Sequence, residues 1–186
     1  MQIRPVQPAD LNDLREIDGT VESTQYLHLE KTGEGLSQSW KLEARPLREK
    51  LIFSNPMNDD TAFLLKQIVT GADEGFTLLA EHEDRPVAFL LAQPVHAAKV
   101  LKIFDVRVDY DFRRQGLGLA MMYQAIAHAR ESELRAVLAE TLTNNLPASQ
   151  FMQKCSFELS GLDTKRNSNH DLVKEAATLI WYAALD

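Results

Sequence analysis

Cysteine is almost missing from this chain of 186 residues, Cys155 being the only one. An intrachain disulfide is therefore excluded, and a cysteine metal site has no support. Histidine is sparse as well. His28, His82, His96, His128 and His170 are scattered through the sequence, without the close pairing that zinc ligation shows, so no metal is expected. No apolar run approaches the ~18 residues that span a bilayer, and no membrane partner is expected. Residues 1–5 lead into an acidic stretch and lack a signal-peptide core, which makes the cytoplasm the expected location. Positive charge is in deficit, with 20 Lys and Arg against 27 Asp and Glu and a net charge of −7. Such a balance opposes a general nucleic-acid surface, where phosphates would be repelled at long range, and suits a cationic substrate. It is also an ordinary charge for a soluble protein. Hydrophobic residues make up 45% and charged residues 25%, the composition of a globular chain of one-domain length.

What is present is a series of short periodic segments. Residues 3–6 read as a strand, and Pro8 starts a helix with Leu11, Leu14 and Ile17 on one face. Residues 19–57 carry a poor signal: Thr32, Gly33, Glu34 and Gly35 break the chain, and 36–51 fit either strand or helix. A helix is expected over about 59–70, with Leu64, Leu65 and Ile68 inward and Gly71 as its stop. Residues 76–82 and 87–93 are two strands of a hairpin joined by Glu83, Asp84, Arg85 and Pro86. A further strand covers 100–108, a helix 117–132 with Met121, Met122 and Tyr123 on its buried side, and a strand 136–141. Asn144 and Asn145 precede Pro147 as a capped helix start, and that helix runs to about Lys154. Strands over 157–162 and 176–183 end the chain. No repeat, low-complexity tract or linker is evident. The order predicts α+β: one domain over 1–186 with a mainly antiparallel mixed sheet flanked by helices.

The most informative segment lies between the strand at 100–108 and the helix at 117. Arg113, Arg114, Gln115, Gly116, Leu117 and Gly118 form a glycine-poised loop at a helix start. Unpaired N–H groups and a dipole worth roughly half a positive charge favour a phosphate there, and the two arginines add to it. Gly116 and Gly118 let the main chain approach a ligand. A dinucleotide fingerprint would need glycine where Met121 stands, and a P-loop would need Gly-Lys-Ser/Thr. Neither is present. A basic turn that merely caps a helix remains the plain alternative.

The pattern Arg-x-x-Gly-x-Gly, with Ile103 to Phe112 leading into it, resembles the pyrophosphate loop of the GNAT acetyltransferase superfamily. The resemblance implies a GNAT fold, acetyl-CoA as cosubstrate and acetyl transfer to a primary amine of a small cationic molecule, by direct attack in a ternary complex. It implies that the N–H groups of Gln115, Gly116, Leu117, Gly118 and Leu119, with the side chains of Arg113 and Arg114, hold the coenzyme A pyrophosphate. It further implies that the backbone of Val106, Arg107 and Val108 pairs with the pantetheine arm, and that Asn145 contacts it. Helix capping is the other role for Asn145, and the two are compatible. For the base the resemblance points to Asp105, on the strand where the family often places an acidic residue near the acceptor amine; a carboxylate there can accept the ammonium proton directly or through water. A structural hydrogen bond at a strand bulge is the alternative. Glu140 is a second carboxylate at the end of the next strand, with a solvated strand end as its alternative.

One departure concerns the acid for the leaving thiolate. The family pattern Phe-Tyr-x-Lys-x-Gly-Phe reads here Phe151, Met152, Gln153, Lys154, Cys155, Ser156, Phe157, and a thioether donates no proton. Ser149 and Tyr182 are candidate substitutes, each with a structural alternative. Residues 140–148, 154–163 and 175–182 look like the streptothricin acetyltransferase branch, whose members acetylate an amine of the antibiotic's β-lysine part. Two other readings stay open: a non-catalytic coenzyme-A-binding module, and acetylation of protein N-termini or lysines. A last strand pairing across a homodimer is common in the family, and a homodimer is carried as one expectation.

Overall fold

The computed structural model describes residues 2–185. In chain order its elements are β1 (Gln2–Arg4), β2 (Val21–Glu34), β3 (Ser37–Phe53), α1 (Asp59–Val69), β4 (Phe76–His82), β5 (Arg85–Val95), β6 (Val100–Val108), α2 (Leu117–Glu131), β7 (Ala136–Leu142), α3 (Leu146–Lys154), β8 (Glu158–Asp163) and β9 (Thr178–Ala184). The content is α+β, as expected. The described chain divides into two compact units, one of Met1–Thr20, Ser54–Ala139 and Tyr182–Asp186 and the other of Val21–Phe53 and Glu140–Trp181.

In the first unit the strands follow the order β1-β4-β5-β6, then the opening of β7 and the end of β9. β1 to β6 pair antiparallel, and β6 pairs parallel with β7 over Val100, Lys102 and the residue between. The hairpin turn is tighter than expected: Glu83 and Asp84 take φ of 49° and 61°, and Arg85 and Pro86 already belong to β5. Two consecutive left-handed residues match the twist of the strands they join. α1 begins at Asn58, whose side chain accepts the Thr61 N–H at 2.7 Å. It packs Leu65 into a core of Leu14, Ile17, Met57, Leu79, Phe89 and Leu91. Each such fully buried side chain contributes roughly 1.5–3 kcal/mol.

Three expectations for this unit are corrected. The first strand is Gln2–Arg4, ending before Pro5. The helix expected from Pro8 is a pair of 3-10 turns, Pro8–Asp10 and Asp13–Glu16. Asn12 before the second turn and Asp13 at its start favour local turns over helix interior, and Asp10 is drawn back by the Gln7 N–H and by Arg4. Leu14 and Ile17 are nevertheless buried. On α2 the buried face is Leu117, Met121, Met122, Ala125, Ile126 and Ala129, while Tyr123 is 50% exposed. At 100° per residue Tyr123 points away from the stripe that Met121, Met122 and Ala125 define.

The second unit contains a long hairpin where the sequence signal was poor. β2 and β3 pair antiparallel around Gly33 and Gly35, with a register shift between Ser23 and Gln25. Gly33 is required there: its φ is 87°, and a Cβ would stand 2.1 Å from the Ser37 carbonyl oxygen. The hairpin is anchored by the Leu27 N–H, which donates to the Thr143 carbonyl at 2.8 Å, and by His28, whose Nδ1 lies 3.0 Å from Glu175 Oε1. The rest of the unit is the end of β7, the start of β9, β8 and α3. The Trp181 Nε1–H donates to Thr141 Oγ1 at 2.8 Å, and Thr141 shares a 3.0 Å hydrogen bond with the buried Ser149 hydroxyl. Among the described residues no helix is long and apolar enough to cross a membrane.

Candidate active site

β6 is where the expected site begins. Its ladder with β5 slips by one residue: Leu91 faces Asp105 and Ala92 faces Ile103, so Phe104 bulges out. Such a bulge re-aims the side chains that follow it. Asp105 and Arg107 then fall on one side of the strand, two residues apart, and their side chains form an ion pair of 2.9 Å. Burial pushes the Asp105 carboxyl above the ordinary carboxylate range, against the opposing pull of the Arg107 charge and hydrogen bond. The Arg107 guanidinium also donates to the Asn55 carbonyl and sits 5.9 Å from the centre of the Phe89 ring. Asp105 is thus both at a bulge and hydrogen-bonded to a neighbour, the structural arrangement weighed from sequence.

Past Val108 the chain is held by a carboxylate that the sequence reading did not single out. Asp109 is 2% exposed, and its oxygens accept from Arg85 at 2.9 Å and from the N–H groups of Asp18 and Asp111 at 3.3 Å. The last bond caps the 3-10 turn Tyr110–Phe112. An aspartate directly before a short turn is a capping signal that could have been read.

The loop itself separates its two arginines. Arg113 turns back toward the protein: Nε donates to the Val108 carbonyl at 3.0 Å, Nη1 to Thr20 at 2.5 Å and Nη2 to Asp18 at 3.2 Å, with Tyr110 beneath it at 5.2 Å. Its side chain fixes the loop. Arg114 is exposed and takes a left-handed φ of 60°. Gly116, at φ 86°, is the N-cap of α2 and meets nothing within 4 Å where a Cβ would lie. No side chain caps α2, and its first turn holds no acidic residue. The N–H groups at Leu117, Gly118 and Leu119 therefore begin a helix of 15 residues without an internal anion to satisfy them.

The remaining expected residues lie in the second unit. Glu140, partly buried near the end of β7, forms an ion pair with Arg166. Asn145 caps α3, accepting the Ala148 N–H at 3.2 Å. Its neighbour Asn144 has a buried Oδ1 without a hydrogen-bond partner. Met152, in the tyrosine position of the pattern, is 3% exposed and part of the core. Ser156 occupies the usual glycine position at φ 63°. The Phe157 N–H donates to the Met152 carbonyl and the Ser156 N–H to Gln153, each at 3.0 Å, the pair of bonds that closes a helix with a left-handed residue. Cys155 is buried and its thiol pushed up to about 11. Among the described residues no group of His, Cys, Asp or Glu could hold a metal ion.

The sequence from residue 40 to 157, which includes the bulged strand, the basic loop and the uncapped helix, matches the acetyltransferase (GNAT) family. The chain belongs to that family. Among known proteins it is similar to streptothricin acetyltransferase A of Bacillus subtilis (strain 168), at 34% identity over 80 residues, 43% of this chain and 46% of that protein. The match thus spans just under half the length of that relative. Among solved structures, nourseothricin acetyltransferase superposes with a TM-score of 0.79 at 22% identity, covering 100% of this chain and 98% of the other. A Bacillus anthracis (strain Ames) structure assigned to streptothricin acetyltransferase, in complex with acetyl coenzyme A, gives a TM-score of 0.77 at 20% identity, covering 100% and 97%. At these identities the likeness is one of fold.

Proposed function

We propose that residues 1–186 work as one N-acetyltransferase domain, moving an acetyl group from acetyl-CoA to a primary amine of a small cationic substrate of the streptothricin type. The observation that carries this is the uncapped start of α2 behind Arg114 and Gly116, a cradle that suits the pyrophosphate of coenzyme A. The N–H groups of residues 115–119 bind the pyrophosphate oxygens, Arg114 adds charge, and Arg113 keeps the loop in shape. The backbone of Val106, Arg107 and Val108 aligns the pantetheine arm, and Asn145 caps α3. Bound acetyl-CoA supplies a thioester carbon open to attack.

Asp105 takes the ammonium proton and frees the amine, for which a carboxyl above its ordinary range is the better base. The N–C bond forms and the C–S bond breaks, and the attacking nitrogen gives its second proton to solvent. Coenzyme A leaves as a thiolate that takes up one proton from solvent, and the proton held by Asp105 is released to water, one net proton per turnover. The net charge of −7 and the similarity to streptothricin acetyltransferase A support this acceptor class.

The test is calorimetric titration with acetyl-CoA, followed on the same sample by a thiol-release assay against a panel of amines that includes streptothricin. Binding with thiol release supports the enzyme. The buried Met152 in place of a tyrosine favours one second reading, a coenzyme-A-binding module without turnover. Binding with no release for any amine would support that module, and no binding refutes both.

A further inference from the structure

Arg107 is a deeply buried charged group that pairs directly with the proposed base. The residue is 6% exposed, a depth at which arginine is rare unless paired. Its Nη2 donates to Asp105 at 2.9 Å, a second nitrogen reaches the Asn55 carbonyl, and Nε–H has no acceptor. Space in a core is filled more favourably by an apolar side chain than by a guanidinium with an unpaired N–H. The surrounding chain is also shaped around it. A Cβ on Gly19 would stand 2.8 Å from Arg107 Nη1 and 2.5 Å from the Asn55 oxygen, so the residue beside the guanidinium has to be bare.

We infer that Arg107 is a positioning residue of the acetyl-transfer centre, whose guanidinium fixes the orientation of the Asp105 carboxylate and keeps it anionic. The inference rests on Asp105 as the base. Across the ladder β5 presents Leu91 to Asp105 and Phe89 to Arg107, while Gly19 and the Asn55 carbonyl close in on the guanidinium. Arg107 is the charge that acts on Asp105. Burial alone drives the carboxyl toward its protonated form, in which it accepts no proton from an amine. Arg107 works against that, so its removal moves the carboxyl midpoint upward.

The experiment follows the Asp105 carboxyl by carbon-13 NMR across pH, assigned with Asp105→Asn, in the wild type, Arg107→Lys and Arg107→Gln. In parallel, kcat/KM is measured across pH with streptothricin as acceptor. Arg107→Gln is expected to raise the Asp105 midpoint by about one to three pH units, the usual effect of one close opposite charge. The acid limb of kcat/KM moves with it, and Arg107→Lys restores part of the change. In the wild type the Arg107 Nε–H signal shifts with the Asp105 titration, a result that needs no variant to fold. An unmoved Asp105 midpoint in a folded variant, or a flat Arg107 signal, overturns the inference. Failure of Asp105 as the base reads differently, as wild-type turnover by Asp105→Asn.

Discussion

Replacing Arg113 with alanine separates a ligand-binding arginine from a loop-building one. The guanidinium donates to the carbonyls of Val108, Thr20 and Asp18. The first two bonds are partly shielded from water and the third is exposed. A hydrogen bond from a charged donor contributes about 1.5–3 kcal/mol net, with water replacing most of an exposed one. Taking the low end for the two shielded bonds, Arg113→Ala costs about 3 kcal/mol. For a chain of this size each kcal/mol moves the midpoint by about 2–4 °C, so the melting temperature falls by about 6–12 °C. Because the same bonds hold the loop ahead of α2, acetyl-CoA affinity falls as well, through disorder of the cradle. Thermal unfolding followed by circular dichroism and calorimetric titration of acetyl-CoA read the two effects on one sample. Arg114→Ala serves as the contrast: its side chain is exposed, so affinity drops while stability stays within about 0.5 kcal/mol. A stability loss of less than about 0.5 kcal/mol for Arg113→Ala, with affinity greatly reduced, would refute the loop-building role.

Gly118→Trp places a large side chain on the second residue of α2 and is expected to abolish acetyl-CoA binding while the circular dichroism spectrum stays native; unchanged affinity would reject the assigned cradle. Ser156→Gly relieves a left-handed residue whose cost is about 1–2 kcal/mol, less the ~0.5–1 kcal/mol by which glycine loosens the unfolded chain, so stability rises by up to about 1.5 kcal/mol. Urea midpoints of the two proteins check this, and no gain would show that the φ of 63° is unstrained there. Arg4 holds the Asp10 carboxyl below its ordinary range through their hydrogen bonds. A depressed folded value makes that stabilisation complete above about pH 4 and lost as the pH falls further. Urea midpoints measured down from pH 7 are therefore expected to drop less steeply below pH 4 in Arg4→Ala than in the wild type.

Much of the fold could be read because its elements carry local signals. α1 has Asn58 before it and Gly71 after it, and its spacing of Leu64, Leu65 and Ile68 faces one core. α3 has Asn145 as its cap. The β2–β3 hairpin could not be read, and its burial explains why. Only Ser23 and Leu29 are buried on β2 and no residue is buried on β3, so the alternation that marks a half-buried strand is scarcely present. Leu36 at the turn is fully exposed and mimics a core position in sequence. The segment after Pro8 failed in the opposite way. Leu11, Leu14 and Ile17 have helical spacing, yet two 3-10 turns bring Leu14 and Ile17 into the core as well, since spacing near three fits either geometry.

At the site, residue type revealed charge and not its use. Arg113 and Arg114 are adjacent and chemically identical, and the loop pattern assigns both to phosphate. Their difference comes from the left-handed backbone of Arg114 and from carbonyls nearly a hundred positions away at Asp18 and Thr20. No local pattern encodes such partners. The Asp105–Arg107 pair is the contrary case. Residues two apart on a strand share a face, so the ion pair was available from sequence once β6 was assigned. What could not be read was its burial, set by Gly19 and Asn55 from distant parts of the chain. Burial is what makes the pair consequential, because a solvated ion pair of this kind would scarcely move the protonation of Asp105.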